Sequence, residues 1–600
     1  MDAMLNPRFE SLVGSMPSSA FVEALHLLSP AYFIEPHREL YRPIHPWALK
    51  VKHYRSLGML FDDFGHNLAK IVQIRQSAGH VFGLAEYTHL LDCARSMGDG
   101  AMGDHVWRAM EDDGVIPDTQ CYNHYMEVKV WDTTYTGQEK YRTRVTPFSY
   151  RKRGFFTASP GWDGYGTARR SVRKQVVELF DEMTHNGTPG DVTTFVNMIL
   201  ASSRVGHMQG VKNVLKAVWN VDVDTLGLLA QAGVDDSMLP AATPYDRSSP
   251  LYPTDHLLFA IAHAFGTNSD LPAALRTLDF ISSRYDLPIP ETVWLELFER
   301  SFVLCRKRFG KDAERNAKGK VPFDSLESMF KTMTNAPFNV RPTMKMRHML
   351  AKVAWDRRRL SVFQHHMRAA YDLLEETRRK RRAARSVLEA YLGTPKNPKL
   401  HPSLLQSRTF ANAVYTYDLL RLQTTQQKII MERLARLLVI NHFWTGRDNA
   451  GWERRLLPRA HEEWQDFIPQ NRYALISGGR IKFHGRSSST WGQRNIGPYR
   501  RVPVRHSSFD THVELNKESF EIEDEFFWED YLRSAPHLDL TSAPLKRLFG
   551  ATVEYDEESK AAELDDDEFI SPSKDANTLR DGDIVYDTDV YGADEISSYH

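Results

Sequence analysis

The chain has 600 residues with a formal net charge of −1, and 42% of them are hydrophobic, which is enough for a sizeable core. Single cores stop growing beyond roughly 250–300 residues, so this length indicates several domains or one extended architecture. Three scattered cysteines argue against a disulfide framework, and the lack of a run of about 18 apolar residues argues against a membrane span.

Residues 1–83 are expected to form a helical N-terminal region. Met1–Ala20 contains one arginine and two acidic residues, so it resembles neither a secretory signal nor an Arg/Ser-rich transit peptide. An organellar import signal is therefore expected to be absent, atypical or upstream of this start.

Leu84–Asp118 contains two segments with helical periodicity. The apolar residues of each segment recur at the spacing of one helix face: Tyr87, Leu90, Leu91 and Ala94 in the first, and Met102, Val106 and Met110 in the second. MGDG separates the two segments and DGVIPD follows the second, with Gly and Pro where a helix should stop. The pattern predicts a helix-turn-helix hairpin.

The hairpin recurs along the chain. Tyr87 and Tyr122 are 35 residues apart, and a further set of residue pairs shares an offset of 73, one period plus an insertion of 38. These pairs are Trp107 and Phe180, Met110 and Met183, Gly114 and Gly187, and Asp118 and Asp191. Degenerate copies follow over Pro253–Glu291 and, interrupted by a basic insert, over Thr292–Thr343.

Helical periodicity continues beyond Met344 without a clear repeat. Val362–Leu392 is predicted to be one long helix, and Leu404–Trp444 is predicted to form two more. Asn471–Phe509 is rich in loop residues and has eight Lys/Arg and no Asp/Glu. Aromatic residues interleave with these basic residues: Tyr473, Phe483, Trp491 and Tyr499. This composition suits a single-stranded nucleic acid, and the alternative is an ordinary basic linker.

The charge is unevenly distributed. Thr511–His600 has 25 acidic against 7 basic residues, a net charge of −18, which leaves the rest of the chain at +17. We expect a largely disordered acidic tail on a basic body, and a basic body favours a polyanionic partner. The alternative is a soluble surface with a disordered end.

The repeat resembles the pentatricopeptide repeat in its 35-residue period, in Tyr-Asn of TQCYN, in Gly98 at the turn and in the GVIPD exit. The resemblance covers Leu84 to about Asn220 as three hairpins and continues more weakly to about residue 380. Long loops and a long C-terminal extension are similar to the fungal mitochondrial members, including the ATPase-expression and other mRNA-specific translation factors.

The resemblance implies an all-α fold, a right-handed α-solenoid of antiparallel helix pairs. We divide the chain accordingly into an N-terminal region (1–83), repeats with insertions at about 132–167 and 306–320 (84–343), a helical extension (344–470), a basic/aromatic segment (471–510) and the acidic tail (511–600).

Within the family, each hairpin offers two side chains to one base, one early on the first helix and one at the last position of the repeat. Matched by register, the resemblance implies that Thr88 acts with Asp118 and Asn123 with Asp191, combinations that tend to read G and U. Val196 departs from this pattern in the third repeat. The alternative is that these polar residues only begin or cap helices.

The basic run RRKRRAAR, Arg378–Arg385, adds candidate phosphate contacts, namely Arg378, Arg379, Arg381 and Arg382. The alternative is a solvated helix face. The loop Gly98–Gly103 reads G-x-G-x-x-G but follows a helix instead of a strand, which argues against a dinucleotide site. We predict that Gly98 makes the turn, that Gly103 allows close helix packing and that Gly100 only loosens the turn.

The function implied by the resemblance is that of a mitochondrial factor, in the matrix or on the matrix face of the inner membrane. It would bind single-stranded mitochondrial mRNA and promote its translation or stability, with the mitoribosome or membrane-associated translation machinery as further partners. The rival interpretation is a protein-binding scaffold, such as a mitoribosome-associated or respiratory-complex assembly factor. A cytosolic peptide-binding helical repeat is a third alternative.

Motifs for catalysis are missing from the sequence. HEEW (His461–Trp464) lacks the second histidine of HExxH, and neither a P-loop, a G-x-S-x-G elbow nor a Cys/His cluster occurs. We therefore expect no enzymatic activity, no cofactor, no metal and no small-molecule substrate.

Overall fold

The structure, a computed structural model, describes residues 1–41, 57–132, 134–135, 172–232, 241–305, 319–394, 397–398, 407–439, 451–468, 472–476, 479–483 and 485. Nearly all regular structure in these ranges is helical, which confirms the predicted all-α fold. Strands occur there as two short antiparallel pairs: Gly393–Thr394 (β1) with Asn397–Pro398 (β2), and Arg472–Ile476 (β3) with Gly479–Phe483 (β4).

The N-terminal helices precede the repeats. They are Asp2–Leu5 (α1), Glu10–Ser15 (α2), Ser18–His26 (α3), Pro30–Phe33 (α4), Glu35–Tyr41 (α5) and Leu57–Ser77 (α6), with a 3-10 turn at Pro7–Phe9. The long helix α6 packs on α1, α2 and α5. Its buried Arg75 donates from Nη1 to the carbonyls of Val13 and Gly14, at 3.3 and 2.9 Å, and so satisfies the open end of α2.

Helix hairpins follow. Their first helices are Leu84–Met97 (α7), Thr119–Trp131 (α9), Val192–Arg204 (α11), Asp255–Thr267 (α14), Glu291–Cys305 (α16) and Met344–Asp356 (α18). Their partners are Gly100–Asp112 (α8), Val172–His185 (α10), Met208–Trp219 (α12), Leu271–Tyr285 (α15) and Phe323–Thr334 (α17), and Val223–Ala232 (α13) is an additional helix. Each first helix packs on the first helix of the next hairpin, so the hairpins stack as a solenoid on one continuous core.

The repeat register is visible in the backbone. Left-handed residues lie fifteen positions after the residue that precedes a first helix, where the chain turns toward the second helix. These are Gly98 (φ 64°), Gly206 (φ 75°), Ser269 (φ 66°) and Arg358 (φ 57°). Ser269 and Arg358 show that hairpins as late as α18 keep the register although they lack the turn glycine.

The offset of 73 residues is also seen in packing. Trp107 lies against Tyr122 with ring centroids 5.1 Å apart, and Phe180 lies against Phe195 at 5.8 Å. Met110 and Met183 are both fully buried at the equivalent position of the second helix. The same interface is therefore built twice from matching residues.

The extension contains a long antiparallel pair, Leu360–Leu392 (α19) and Arg408–Val439 (α20). The prediction of two helices over Leu404–Trp444 was wrong, because α20 continues through the polar run at Gln423–Gln427. Thr424 and Thr425 donate from their hydroxyls to the carbonyls of Leu420 and Arg421, at 2.7 and 3.1 Å, and Gln427 is buried. Polar residues therefore interrupt the apolar pattern without interrupting the helix.

A second core lies around α18–α20 and the short helix Leu457–Trp464 (α21), which is preceded by a π-helical turn at Trp452–Leu456 and followed by a 3-10 turn at Gln465–Phe467. None of the helices described combines the length and apolar character that crossing a bilayer would require. The predicted insertions at about 132–167 and 306–320, the aromatics Trp491 and Tyr499 and the acidic tail lie almost wholly outside the described residues.

Candidate nucleic-acid interface

The fifth residue of each first helix occupies one stripe of the solenoid. In the described hairpins these residues are Thr88, Asn123, Val196, Phe259, Leu295 and His348. The stripe begins with two polar side chains, continues with three apolar ones and ends with a histidine. Val196 is 3% exposed, in agreement with its departure from the family pattern.

Asn123 and Asp191 are in direct contact across two hairpins. The Asn123 amide donates from Nδ2 to Asp191 Oδ1 at 2.9 Å, and Asn123 itself is 5% exposed. The Asn123 Oδ1 accepts from the Thr194 hydroxyl at 2.7 Å, and its backbone carbonyl accepts from Asn197 Nδ2 at 3.0 Å. Asn123 and Asp191, which the repeat register assigns to one pair, are therefore in contact in the structure.

Asp191 is also a helix cap. Its Oδ1 accepts from the backbone N–H of Thr194 at 3.0 Å, and the Asp191 N–H donates to the Thr194 hydroxyl oxygen at 3.1 Å. This is a reciprocal capping box at the start of α11. Thr194 is a functional residue that the repeat register does not indicate, although the spacing of Asp191 and Thr194 over three residues is the sequence signal of such a cap.

Thr88 and Asp118 are linked through Cys121 instead of bonding directly. Thr88 donates to the carbonyl of Leu84 at 2.7 Å, and its Oγ1 lies 3.1 Å from Cys121 Sγ. The Cys121 N–H donates to Asp118 Oδ1 at 2.8 Å, so Asp118 caps α9. Burial raises the pKa of Cys121 to about 11, which keeps the thiol neutral between the two side chains.

Capping therefore occurs at both aspartates. Each aspartate keeps a second carboxylate oxygen for other partners, because the hydrogen bonds that the described residues make to these two carboxylates all end on Oδ1. His124, next to Asn123, is partly buried, and burial lowers its pKa, so the ring near the pair is neutral at physiological pH.

Basic residues further along the same helices are held by protein carboxylates. Lys129 on α9 is paired with Asp104. Arg95 on α7 forms ion pairs with three carboxylates at 2.7–3.3 Å, those of Glu35, Asp92 and Glu127. These cations already have anionic partners, so contacts to a phosphate backbone need residues elsewhere.

The basic run lies on α19, and the structure divides its four candidate arginines. Arg378 and Arg381 are 3% and 4% exposed, and Arg378 donates to Glu375 at 2.6 Å. Arg379 and Arg382 lie on the exposed face of the helix. The expectation that all four arginines reach phosphates needs correction, because Arg378 and Arg381 lie on the buried side of the helix.

The Gly98–Gly103 loop is a helix junction. Gly98 ends α7 in the left-handed conformation, and a Cβ on Gly103 would lie 2.7 Å from Val128 Cγ1, so both predicted roles are confirmed. The interpretation of Gly100 as a mere loosening of the turn was wrong. Its N–H donates to Asp132 Oδ1 at 3.0 Å, and a Cβ there would lie 2.6 Å from the same oxygen. A protein carboxylate thus occupies the start of α8.

The described residues were also compared with the side-chain arrangements of metal and disulfide sites. Cys93, Cys121 and Cys305 are buried free thiols. Within those ranges, no group of three or more His, Cys, Asp or Glu side chains is arranged to hold a metal ion.

Comparison with known proteins gives two likenesses. Residues 192–316, which span α11 to α16, match the family model described as mitochondrial ATPase expression, so the chain resembles that family over this part, in agreement with the sequence analysis. The chain is also similar to the crystal structure of a pentatricopeptide repeat protein from maize, with 12% identity and a TM-score of 0.29 over 78% of this chain and 67% of that one. The comparison with curated protein sequences finds no match.

Proposed function

We propose that this protein is a mitochondrial RNA-binding factor that promotes expression of a mitochondrial mRNA, encoding an ATP synthase or another respiratory-chain subunit. The observation that carries the proposal is the hydrogen-bonded pair of Asn123 and Asp191 at the register positions of adjacent hairpins, with Thr88 and Asp118 one hairpin earlier. The match of residues 192–316 to the mitochondrial ATPase expression family supports the compartment and the process.

Recognition by these pairs follows from their hydrogen-bonding groups. Asp191 Oδ2 faces no donor among the described hydrogen bonds and can accept from an N–H on a base edge, while the Asn123 amide can donate to a neighbouring carbonyl. Uracil presents this N–H beside carbonyls. Thr88 and Asp118 offer a hydroxyl and a carboxylate, which suit the donor-rich edge of guanine.

Affinity in this proposal comes largely from the phosphate backbone and needs no turnover. The exposed arginines Arg379 and Arg382 are the proposed phosphate contacts, and base edges supply the sequence preference. The factor would act by holding one single-stranded segment in place for the translation machinery or against degradation. Its proposed location is the matrix or the matrix face of the inner membrane.

The test is an electrophoretic mobility shift with mitochondrial leader RNAs and a random RNA of equal length. Asp191→Ser is the informative variant, because serine still caps α11 but lacks the second oxygen. We expect Asp191→Ser and Asn123→Ala each to weaken binding of the preferred leader roughly tenfold. Asp270→Ser, at the cap of α15 on a second helix, is the matched control and should leave binding unchanged. Equal affinity for leader and random RNA would refute the proposal.

A protein-binding scaffold is the second candidate, and one observation favours it. The fifth-position residues of α11, α14 and α16 are apolar, namely Val196, Phe259 and Leu295, and such a stripe does not read base edges by hydrogen bonds. Copurification from mitochondria separates the two candidates. Association with the mitoribosome or a respiratory complex that resists RNase, without crosslinked RNA, would favour the scaffold.

A further inference from the structure

A pocket of about 520 Å³ lies between the later repeats and the long pair α19 and α20. Phe259 of α14 and Leu295 of α16 contribute to one wall, and Thr377 of α19 with Gln427 and Ile430 of α20 contribute to another. These five side chains all project from helices of at least two turns, and the connection at Arg341–Thr343 completes the lining. The volume is within the range of pockets that enclose small ligands.

Three carboxylates of the pocket wall form ion pairs or hydrogen bonds with cationic or imidazole groups. Glu299 is paired with Lys345, and Glu376 accepts from Lys380 at 3.0 Å and from Arg341. Glu296 accepts from Arg300 Nε at 2.7 Å and lies 2.8 Å from His263 Nδ1. Glu296, Glu299 and Glu376 thus have cationic or imidazole partners, and the fourth carboxylate of the wall, Glu291, is exposed, so the pocket does not favour an anionic ligand.

Gln427, in the pocket wall, has a side-chain oxygen without a hydrogen-bond donor. It is 4% exposed, and its Oε1 accepts no hydrogen bond although the atom is fully enclosed. A buried amide oxygen without a donor costs roughly 1–3 kcal/mol relative to a bonded one. Gln423 lies one helical turn earlier on the same wall, so the pocket presents carboxamides to whatever enters.

Phe259 supplies a flat apolar surface next to these amides. It is the fifth residue of α14, so it occupies in its hairpin the position that Thr88 and Asn123 occupy in theirs. Its ring is partly exposed and lies nearly parallel to the His263 imidazole, with centroids 5.9 Å apart. A strand that follows the stripe from α7 onward therefore reaches this ring and the pocket beside it.

We infer that this pocket binds one unpaired RNA base that has an exocyclic amine next to a ring nitrogen, with adenine as the preferred base. In this proposal the Gln427 carboxamide turns its enclosed Oε1 toward the pocket to accept from the amine, and the base stacks on Phe259. A glutamine carboxamide is the side chain that matches the amine and ring nitrogen of adenine, and stacking on an aromatic ring is the general means of holding an unpaired base. The inference rests on the proposed RNA-binding function and adds a site that the later, apolar repeats form together with the C-terminal helices.

The experiment uses the full chain and fluorescein-labelled oligouridylates of equal length, each with a single adenosine at a different position, read by fluorescence anisotropy. We expect one position of the adenosine to raise the affinity roughly tenfold over uniform oligouridylate. Gln427→Leu should remove that gain. Phe259→Leu should remove the gain and also weaken binding of uniform oligouridylate, because stacking on an aromatic ring does not depend on the base. Gln209→Leu, at an exposed glutamine of α12, is the control that makes the same substitution away from the pocket.

The outcomes separate this inference from the proposed function. Asn123→Ala should weaken binding of every oligonucleotide and preserve the adenosine preference. Wild-type binding without any positional preference for adenosine, or a preference that survives Gln427→Leu, overturns the pocket and leaves the RNA-binding function standing. Failure of the wild-type chain to bind any of these oligonucleotides overturns both. Thermal unfolding of each variant shows whether it is folded. If Gln427→Leu is not folded, the result for Phe259→Leu decides whether the pocket inference holds.

Discussion

Tyr415 stacks on Tyr32, with ring centroids 4.0 Å apart, and its hydroxyl donates to the Tyr32 carbonyl at 2.9 Å across a sequence separation of 383 residues. Helix α20 also packs on α5. The long C-terminal pair therefore packs against the N-terminal helices, so the segments before and after the repeats are in contact with each other. Ordinary repeat arrays contact only their neighbours, so this contact adds long-range cooperativity.

Replacement of Tyr415 by alanine removes both the stacking and the hydrogen bond. We expect the free energy of unfolding to fall by about 2 kcal/mol, and the urea transition to broaden because the two ends lose their coupling. Tyr415→Phe keeps the stacking and should cost about 1 kcal/mol with a sharp transition. Equal losses in the two variants, or none, would show that the ring contact does not couple the ends.

The repeats could be predicted from the sequence because their signals are local. The glycine that ends α7 and the matched pairs at an offset of 73 residues each require only one hairpin and its neighbour. Helix capping is equally local, so the positions of Asp118 and Asp191 at helix starts followed from the pattern. The register then predicted that Asn123 and Asp191 belong together, although 68 residues separate them.

The remaining features depend on packing between distant segments. The apolar pattern across Gln423–Gln427 stops, but burial against α19 keeps the helix continuous. Periodicity could not predict which arginines of the basic run are buried and which are exposed, since tertiary contacts decide this. The pocket beside Phe259 combines residues of α14, α16, α19 and α20, so no local pattern indicated it.

Gly100→Ala should destabilise the first hairpin. The added methyl would lie 2.6 Å from Asp132 Oδ1 and force out the carboxylate that accepts from the Gly100 N–H, so we expect a loss of about 1–3 kcal/mol in the free energy of unfolding. In an Asp132→Ala background the same change should cost much less, which a double-mutant cycle measures. Gly451→Ala is the control, because a Cβ there meets nothing within 4 Å. Additive losses at the two positions would contradict the contact.

The two faces of α19 should respond differently to mutation. Arg379→Ala with Arg382→Ala should lower the slope of log affinity against log salt by about 0.7 for each lost phosphate contact on single-stranded RNA, with little change in stability. Arg378→Ala should instead lower the thermal unfolding temperature, because it leaves the Glu375 carboxylate without its partner at 2.6 Å. An unchanged salt slope in the double variant would remove the two exposed arginines from the RNA-binding surface.

Two buried histidines should make the protein sensitive to acid. Burial lowers the pKa of His89 to about 4, with a further contribution from the His26 ring stacked on it at 5.0 Å and an opposing one from Asp92. Burial and the neighbouring guanidinium of Arg347 lower the pKa of His366 to about 4 as well. The unfolded chain titrates these rings near pH 6.5, so between about pH 6.5 and pH 4 it binds more protons than the folded chain.

The free energy of unfolding should therefore decrease as the pH falls through that window, by up to about 3 kcal/mol for each ring. Urea unfolding from neutral pH to about pH 4.5 measures the slope. His89→Gln and His366→Gln keep a neutral polar side chain that does not titrate, so each should reduce the slope by close to one proton. His105→Gln, at an exposed ring on α8, should leave the slope as it is. A slope that persists in the His89 and His366 double variant would assign the acid sensitivity to other groups.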